Sequence, residues 1–78
     1  MKILIRDRIK LQEAVMKRGF TRRGFGQAIG ISHSTVVQLL NGNRNPSPPI
    51  AKKIADFLEE EFDTIFFIEN GYKSEQSA

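Results

Sequence analysis

The sequence predicts a small, mostly helical single domain, and three observations predict it. Apolar residues recur at helical spacing in three stretches: Phe25, Ala28 and Ile29; Val36, Leu39 and Leu40; Ile50, Ile54, Phe57 and Leu58. Each stretch follows a hydroxyl residue (Thr21, Ser32 or Ser47) that can accept from a free first-turn N–H. Gly30 and Gly42 stand just past two of the stripes, where a residue that tolerates positive φ ends a helix. A chain of 78 residues makes one domain, near the lower limit for a core without staples. It has no cysteine, which excludes disulfides and zinc–thiolate sites and makes a reducing cytoplasm the expected setting. The longest apolar run, residues 65–68, is far too short for a membrane span or a signal peptide.

Taken in order, residues 1–6 (MKILIR) either start the first helix early or form a short strand. Helix 1 is expected over 8–18, with Leu11, Ala14 or Val15, and the stem of Arg18 on one side. Gly19 breaks it, and Phe20 anchors the start of helix 2 as a hydrophobic staple. Thr21 caps helix 2. Gly24 within it costs roughly 1 kcal/mol relative to alanine, and nothing in the sequence accounts for it. Gly30 turns the chain, Ile31 tucks inward, and Ser32 caps a third helix that runs to Asn41 and stops at Gly42. The glycines of 24–30 superficially suggest a dinucleotide-binding fingerprint. The last spacing is one residue too long and no hydrophobic strand precedes it, so that reading is rejected.

A loop of Asn43, Arg44, Asn45 and Pro46 follows. Ser47 then caps helix 4, whose first turn accepts Pro48 and Pro49 because N–H groups there lack partners anyway. Lys52 and Lys53 fall outside its apolar stripe. Beyond Leu58 come Glu59, Glu60 and Glu61, so this helix either runs on or ends without a glycine cap. Residues 67–69 are β-like and are expected to pair with residues 2–5 as an antiparallel ribbon. Asn70 and Gly71 read as a turn. The division is a domain over 1–69 and a polar tail over 70–78, expected to be disordered.

The face of helix 3 opposite its stripe carries the functional signal. With Val36, Leu39 and Leu40 inward, His33, Ser34, Val37, Gln38 and Asn41 point outward. No charge occurs between Ser32 and Asn41, although a merely solvated helix face is normally ion-paired. Uncharged donors and acceptors suit base edges in a major groove. Charge along the chain is lopsided. Residues 1–55 hold eleven Lys/Arg against Asp7 and Glu13, a balance of +9, while residues 56–78 hold Lys73 against seven acids, a balance of −6. That gives a basic face for a polyanion and an acidic face turned away from it.

The segment 21–42 resembles the helix-turn-helix of the lambdoid phage repressor and Cro proteins, the XRE-like regulators. Thr21, Phe25, Gly26, Ile29, Gly30, Ile31, Ser32, Ser34, Thr35, Val36, Leu39, Gly42, Pro46 and Ser47 match that family's pattern in register without a gap. The resemblance implies an all-α, five-helix, phage-repressor-like domain over roughly 6–67, extended here by the short β-ribbon. Phe62, Ile65 and Phe66 would cover the core from a short fifth helix. Arg22 departs from the usual glutamine, Gly26 from the usual alanine, and the glycine expected after helix 4 is missing.

The resemblance and the outward face together assign base contacts to His33, Ser34, Val37 and Gln38. Gln38 is matched to adenine in particular, through its paired donor and acceptor. Phosphate contacts are assigned to Arg22, Arg23, Ser32, Thr35, Asn41, Asn43 and Arg44. Catalysis lacks parts, with one histidine, no cysteine and no acid in the motif to orient His33. No metal-ligand spacing and no cofactor motif is present. The expected partner is duplex DNA, as a palindromic operator bound by a homodimer, in a bacterial cytoplasm or nucleoid. By resemblance the chain is a phage or mobile-element repressor or Cro-like regulator. Two other readings stay open: an antitoxin that also binds a toxin chain, and a protein-interaction module on the same fold. A protein partner would then be a toxin or an anti-repressor.

Overall fold

The structure, a computed structural model, describes residues 1–69; the expected polar tail over 70–78 lies outside them. The elements run β1 (Lys2–Ile5), α1 (Arg8–Lys17), α2 (Arg22–Ile29), α3 (His33–Asn41), α4 (Pro48–Leu58), α5 (Phe62–Ile65) and β2 (Phe66–Glu69). The described residues thus form a mostly helical fold with one two-stranded antiparallel sheet. The ribbon takes the register Lys2↔Glu69, Ile3↔Ile68, Leu4↔Phe67 and Ile5↔Phe66. Directly opposed residues share a face, so Ile3, Ile5 and Phe66 lie on the side turned to the helices. On the other side the Arg6 guanidinium stands 5.3 Å from the Phe67 ring centroid.

One core gathers residues from every element. Leu11 and Val15 of α1, Phe25 and Ile29 of α2, Val36 and Leu40 of α3, and Ala51, Ile54, Ala55 and Leu58 of α4 meet Ile3, Ile65 and Phe66. Phe57 forms its aromatic edge, with T-shaped contacts to Phe20 at 4.9 Å and to Phe25 at 5.2 Å between centroids. Phe20 therefore anchors helix 2 as its position implied, against α4 as well as the first turn of α2.

Several expectations need correction. Ala28 is exposed, and the buried face of α2 is Phe25, Gly26 and Ile29. Phe66 is the first residue of β2 rather than part of α5; one residue past the short helix the backbone is already extended, at φ −126° and ψ 166°. Helix 4 buries Ala51 and Ala55 besides Ile54 and Leu58, while Phe57 is half-buried at its margin. Ser47 holds the N-cap position but its hydroxyl makes no cap bond. Pro48 and Pro49 fill the first two helical positions, so two of the N–H groups that a cap would otherwise satisfy do not exist.

The end of α4 settles the missing glycine. Glu59 itself adopts the left-handed conformation, φ 57° and ψ 41°, the one positive φ outside glycine among the described residues. Its N–H donates to Asp56 O (3.1 Å) and the Glu60 N–H to Ala55 O (3.0 Å), which is a Schellman closure. Glycine does this work at the end of α3, where Gly42 has φ 82°. A left-handed non-glycine residue costs about 1–2 kcal/mol, of which glycine's greater freedom in the unfolded chain gives back about half. Glu59→Gly is accordingly expected to raise the thermal midpoint by a few degrees. A lowered midpoint in a calorimetric melt would show that Glu59 is not left-handed in solution.

Candidate nucleic-acid interface

The outward face of α3 depends on how closely α2 and α3 approach. Thr21 closes the start of α2 by accepting from Gly24 N at 3.0 Å. Gly24 is therefore a first-turn residue and not an interior one. A Cβ there would stand 3.3 Å from the Thr21 hydroxyl oxygen, so a side chain would crowd the cap. Gly30 leaves α2 left-handed, at φ 81°, and the Ile31 N–H returns to Gly26 O at 2.8 Å. Gly26 lies where the helices cross. A Cβ there would come within 2.9 Å of both Ile31 O and Val36 Cγ2, and Val36 is completely buried. Glycine thus lets α3 sit closer to α2 than an alanine would in this packing.

Ser32 caps α3, its Oγ accepting from Thr35 N at 3.1 Å and lying 2.9 Å from Thr35 Oγ1. These two hydroxyls, both assigned to phosphate, are bonded to each other at the helix start. Val36, Leu39 and Leu40 are buried, as their spacing required. His33, Ser34, Gln38 and Asn41 are exposed, and Val37 and Thr35 are half-buried. The structure thus gathers the four residues assigned to bases on one side of one helix. They form an uncharged strip with one methyl-bearing side chain, and base edges in a major groove present the complementary hydrogen-bonding groups and thymine methyls.

The flanks are basic. Arg22 and Arg23 open α2, and Arg22 Nη2 stands 3.5 Å from Gln12 Oε1. Gln12 in turn donates to Leu40 O at 3.2 Å, tying α1 to the end of α3. Beyond Gly42, Asn43 and Arg44 are exposed, and Arg44 Nη1 donates to Gln38 Oε1 at 3.0 Å. Arg8 covers Gly42: a Cβ at that glycine would collide with the guanidinium. Neither Gln12 nor Arg8 is apparent from the sequence. Both act across long sequence separations, Gln12 on the Leu40 carbonyl and Arg8 in the space beside Gly42, which no local pattern reports. Of the more distant basic residues, Lys52 pairs with Asp56 at 2.9 Å on the outer side of α4, while Arg18 donates to the Leu58 carbonyl.

Among the described residues, no group of three or more His, Asp or Glu side chains is placed to hold a metal ion, and no helix is long and apolar enough to cross a membrane. A family model described as helix-turn-helix matches residues 11–65, most of the chain. The chain is also 40% identical over 48 residues to a relative named "Uncharacterized HTH-type transcriptional regulator YazB", from Bacillus subtilis (strain 168). That match covers 62% of this chain and 70% of the relative. The capped α2, the left-handed turn at Gly30, the close crossing at Gly26 and the matched span agree: the chain belongs to the XRE-like helix-turn-helix family.

Proposed function

We propose that this protein is a non-enzymatic transcriptional regulator that binds duplex DNA sequence-specifically, as a phage or mobile-element repressor or Cro-like protein does. The observation that carries the reading is the outward strip of α3, which holds His33, Ser34, Val37 and Gln38 without a charge, with Arg22 and Arg23 opening the preceding helix and Arg44 in the loop that follows. In this reading α3 enters the major groove and those four residues meet base edges. The N-terminal turn of α2, with Arg22 and Arg23, lies against a phosphate. Ser32, Thr35, Asn41 and Asn43 complete the backbone contacts, and Arg44 stands between Gln38 and the strand.

One module offers limited contact area, so two copies bind a palindrome with half-sites about 34 Å apart. An apolar groove between the ribbon and the starts of α4 and α5, lined by Met1, Ile3, Pro46, Phe62 and Ile68, supports a surface for that pairing; Ile68 is 52% exposed there.

Selection of bound fragments from a random duplex pool tests binding, sequence preference and palindromy together. A pool that returns unenriched at low salt would end this reading. On the selected duplex, Gln38→Ala is expected to reduce discrimination against random DNA by about 1–3 kcal/mol. Equal losses on both duplexes would show that Gln38 reads no base.

A further inference from the structure

Gln38 is held twice by the loop that follows it. Its main-chain oxygen accepts from Asn43 N at 2.9 Å, and its side-chain Oε1 accepts from Arg44 Nη1 at 3.0 Å. Arginine has only donors, so the amide atom that faces Arg44 must be the oxygen. The contact therefore fixes which way round the amide lies as well as where it lies. The Arg8 guanidinium lies over Gly42, at the head of this loop.

We propose that Arg44 determines specificity by holding its guanidinium against the acceptor of Gln38, so that the Gln38–Arg44 pair selects guanine where an unpaired glutamine selects adenine. The proposal rests on α3 being the groove-facing helix. A free glutamine matches adenine because Oε1 accepts from the N6 amino group while Nε2 donates to N7. Arg44 takes one of the two lone pairs of Oε1, so the amino group of adenine can reach the other only beside a guanidinium cation, which repels its partly positive hydrogens. Guanine instead offers N7 and O6, two acceptors, to Nε2 and to the remaining N–H groups of Arg44. The pair thus presents a cation and several donors against one remaining lone pair, which favours the two acceptors of guanine, although its two members come from a helix and a loop.

The test is three parallel selections from one random duplex pool, with the wild type, Gln38→Ala and Arg44→Ala. The Gln38→Ala selection marks the position that Gln38 reads, as the one whose base preference disappears. At that position the wild type is expected to select guanine and Arg44→Ala to shift to adenine. In titrations of duplexes differing only there, the wild type should favour guanine roughly 5- to 150-fold. Arg44→Ala should reverse the order. Arg44 is exposed, and an unchanged thermal melt of the variant verifies that the fold is intact. An Arg44→Ala protein that binds all duplexes more weakly but keeps the wild-type preference overturns the proposal, and so does a wild type that selects adenine. A wild type that enriches no motif overturns the DNA reading beneath it, and is distinguished because no protein in the set then shows any preference.

Discussion

Phe66→Ala should leave a large share of the chain unfolded at 37 °C. Phe66 is completely buried, stands opposite Ile5 in the ribbon, and lies 5.2 Å from the Phe62 ring. It is where the ribbon meets the helical core. Truncating a buried phenylalanine costs about 3–5 kcal/mol, through lost transfer free energy and the cavity left behind. A domain of this size has roughly 4–12 kcal/mol in all, at about 0.05–0.15 kcal/mol per residue, so one substitution removes much of it. The same face of the same strand supplies the control. Ile68 lies two residues further along the same strand and is 52% exposed, so Ile68→Ala should cost far less. Urea unfolding followed by circular dichroism separates them. Equal losses at the two positions would mean that Ile68 is as deeply buried as Phe66 in solution, against its observed exposure.

Gly26→Val should lower the thermal midpoint and remove duplex binding by whatever protein remains folded. The Cβ position at Gly26 is already within 2.9 Å of Ile31 O and Val36 Cγ2. Valine adds two methyl groups beyond that point, and one obstacle is backbone, which does not rotate aside. Overpacking of this kind costs about 1–3 kcal/mol, and the better helix propensity of valine over glycine returns only a few tenths. At about 4–8 °C per kcal/mol for a domain of this size, the shift is easily measured. The larger effect falls on binding. Relief of the clash must move α3 away from α2, and the side chains of α3 need both helices placed on one duplex. A Gly26→Val protein with wild-type midpoint and wild-type binding would show that the helices do not cross here.

Much of this fold is written in local patterns. The caps at Thr21 and Ser32 both form their side-chain bonds at the expected first-turn N–H. The stripe of α3 is buried as its period required, because a helix with three apolar residues on one side has only one stable way to face a core. The ribbon was also legible, since residues 2–5 and 67–69 are short β-favouring runs at the two ends of the domain. Ala28 misled because a methyl side chain fits the exposed side of a helix as easily as the buried side. Phe66 reads from sequence as part of α5 because a four-residue helix and an adjoining strand bury the same aromatic. Ser47 holds its expected place without its expected bond: the prolines remove the N1 and N2 donors, and the Ile50 N–H, in the position that Thr21 and Ser32 cap in their helices, is not bonded to it.

The amino-acid order alone determined the capped helix-turn-helix, the uncharged outward strip of α3, and the separation of basic and acidic regions. Each depends on near neighbours in the chain, through helical period, cap chemistry and turn residues. Only the tertiary structure decided that Gly26 is where α2 and α3 touch, that the Arg8 guanidinium lies beside Gly42 at the end of α3, and that Arg44 donates to the Gln38 side chain. Those contacts are set by the angles at which helices and loops meet. Such angles follow from how the whole core packs, which no single stretch of sequence contains.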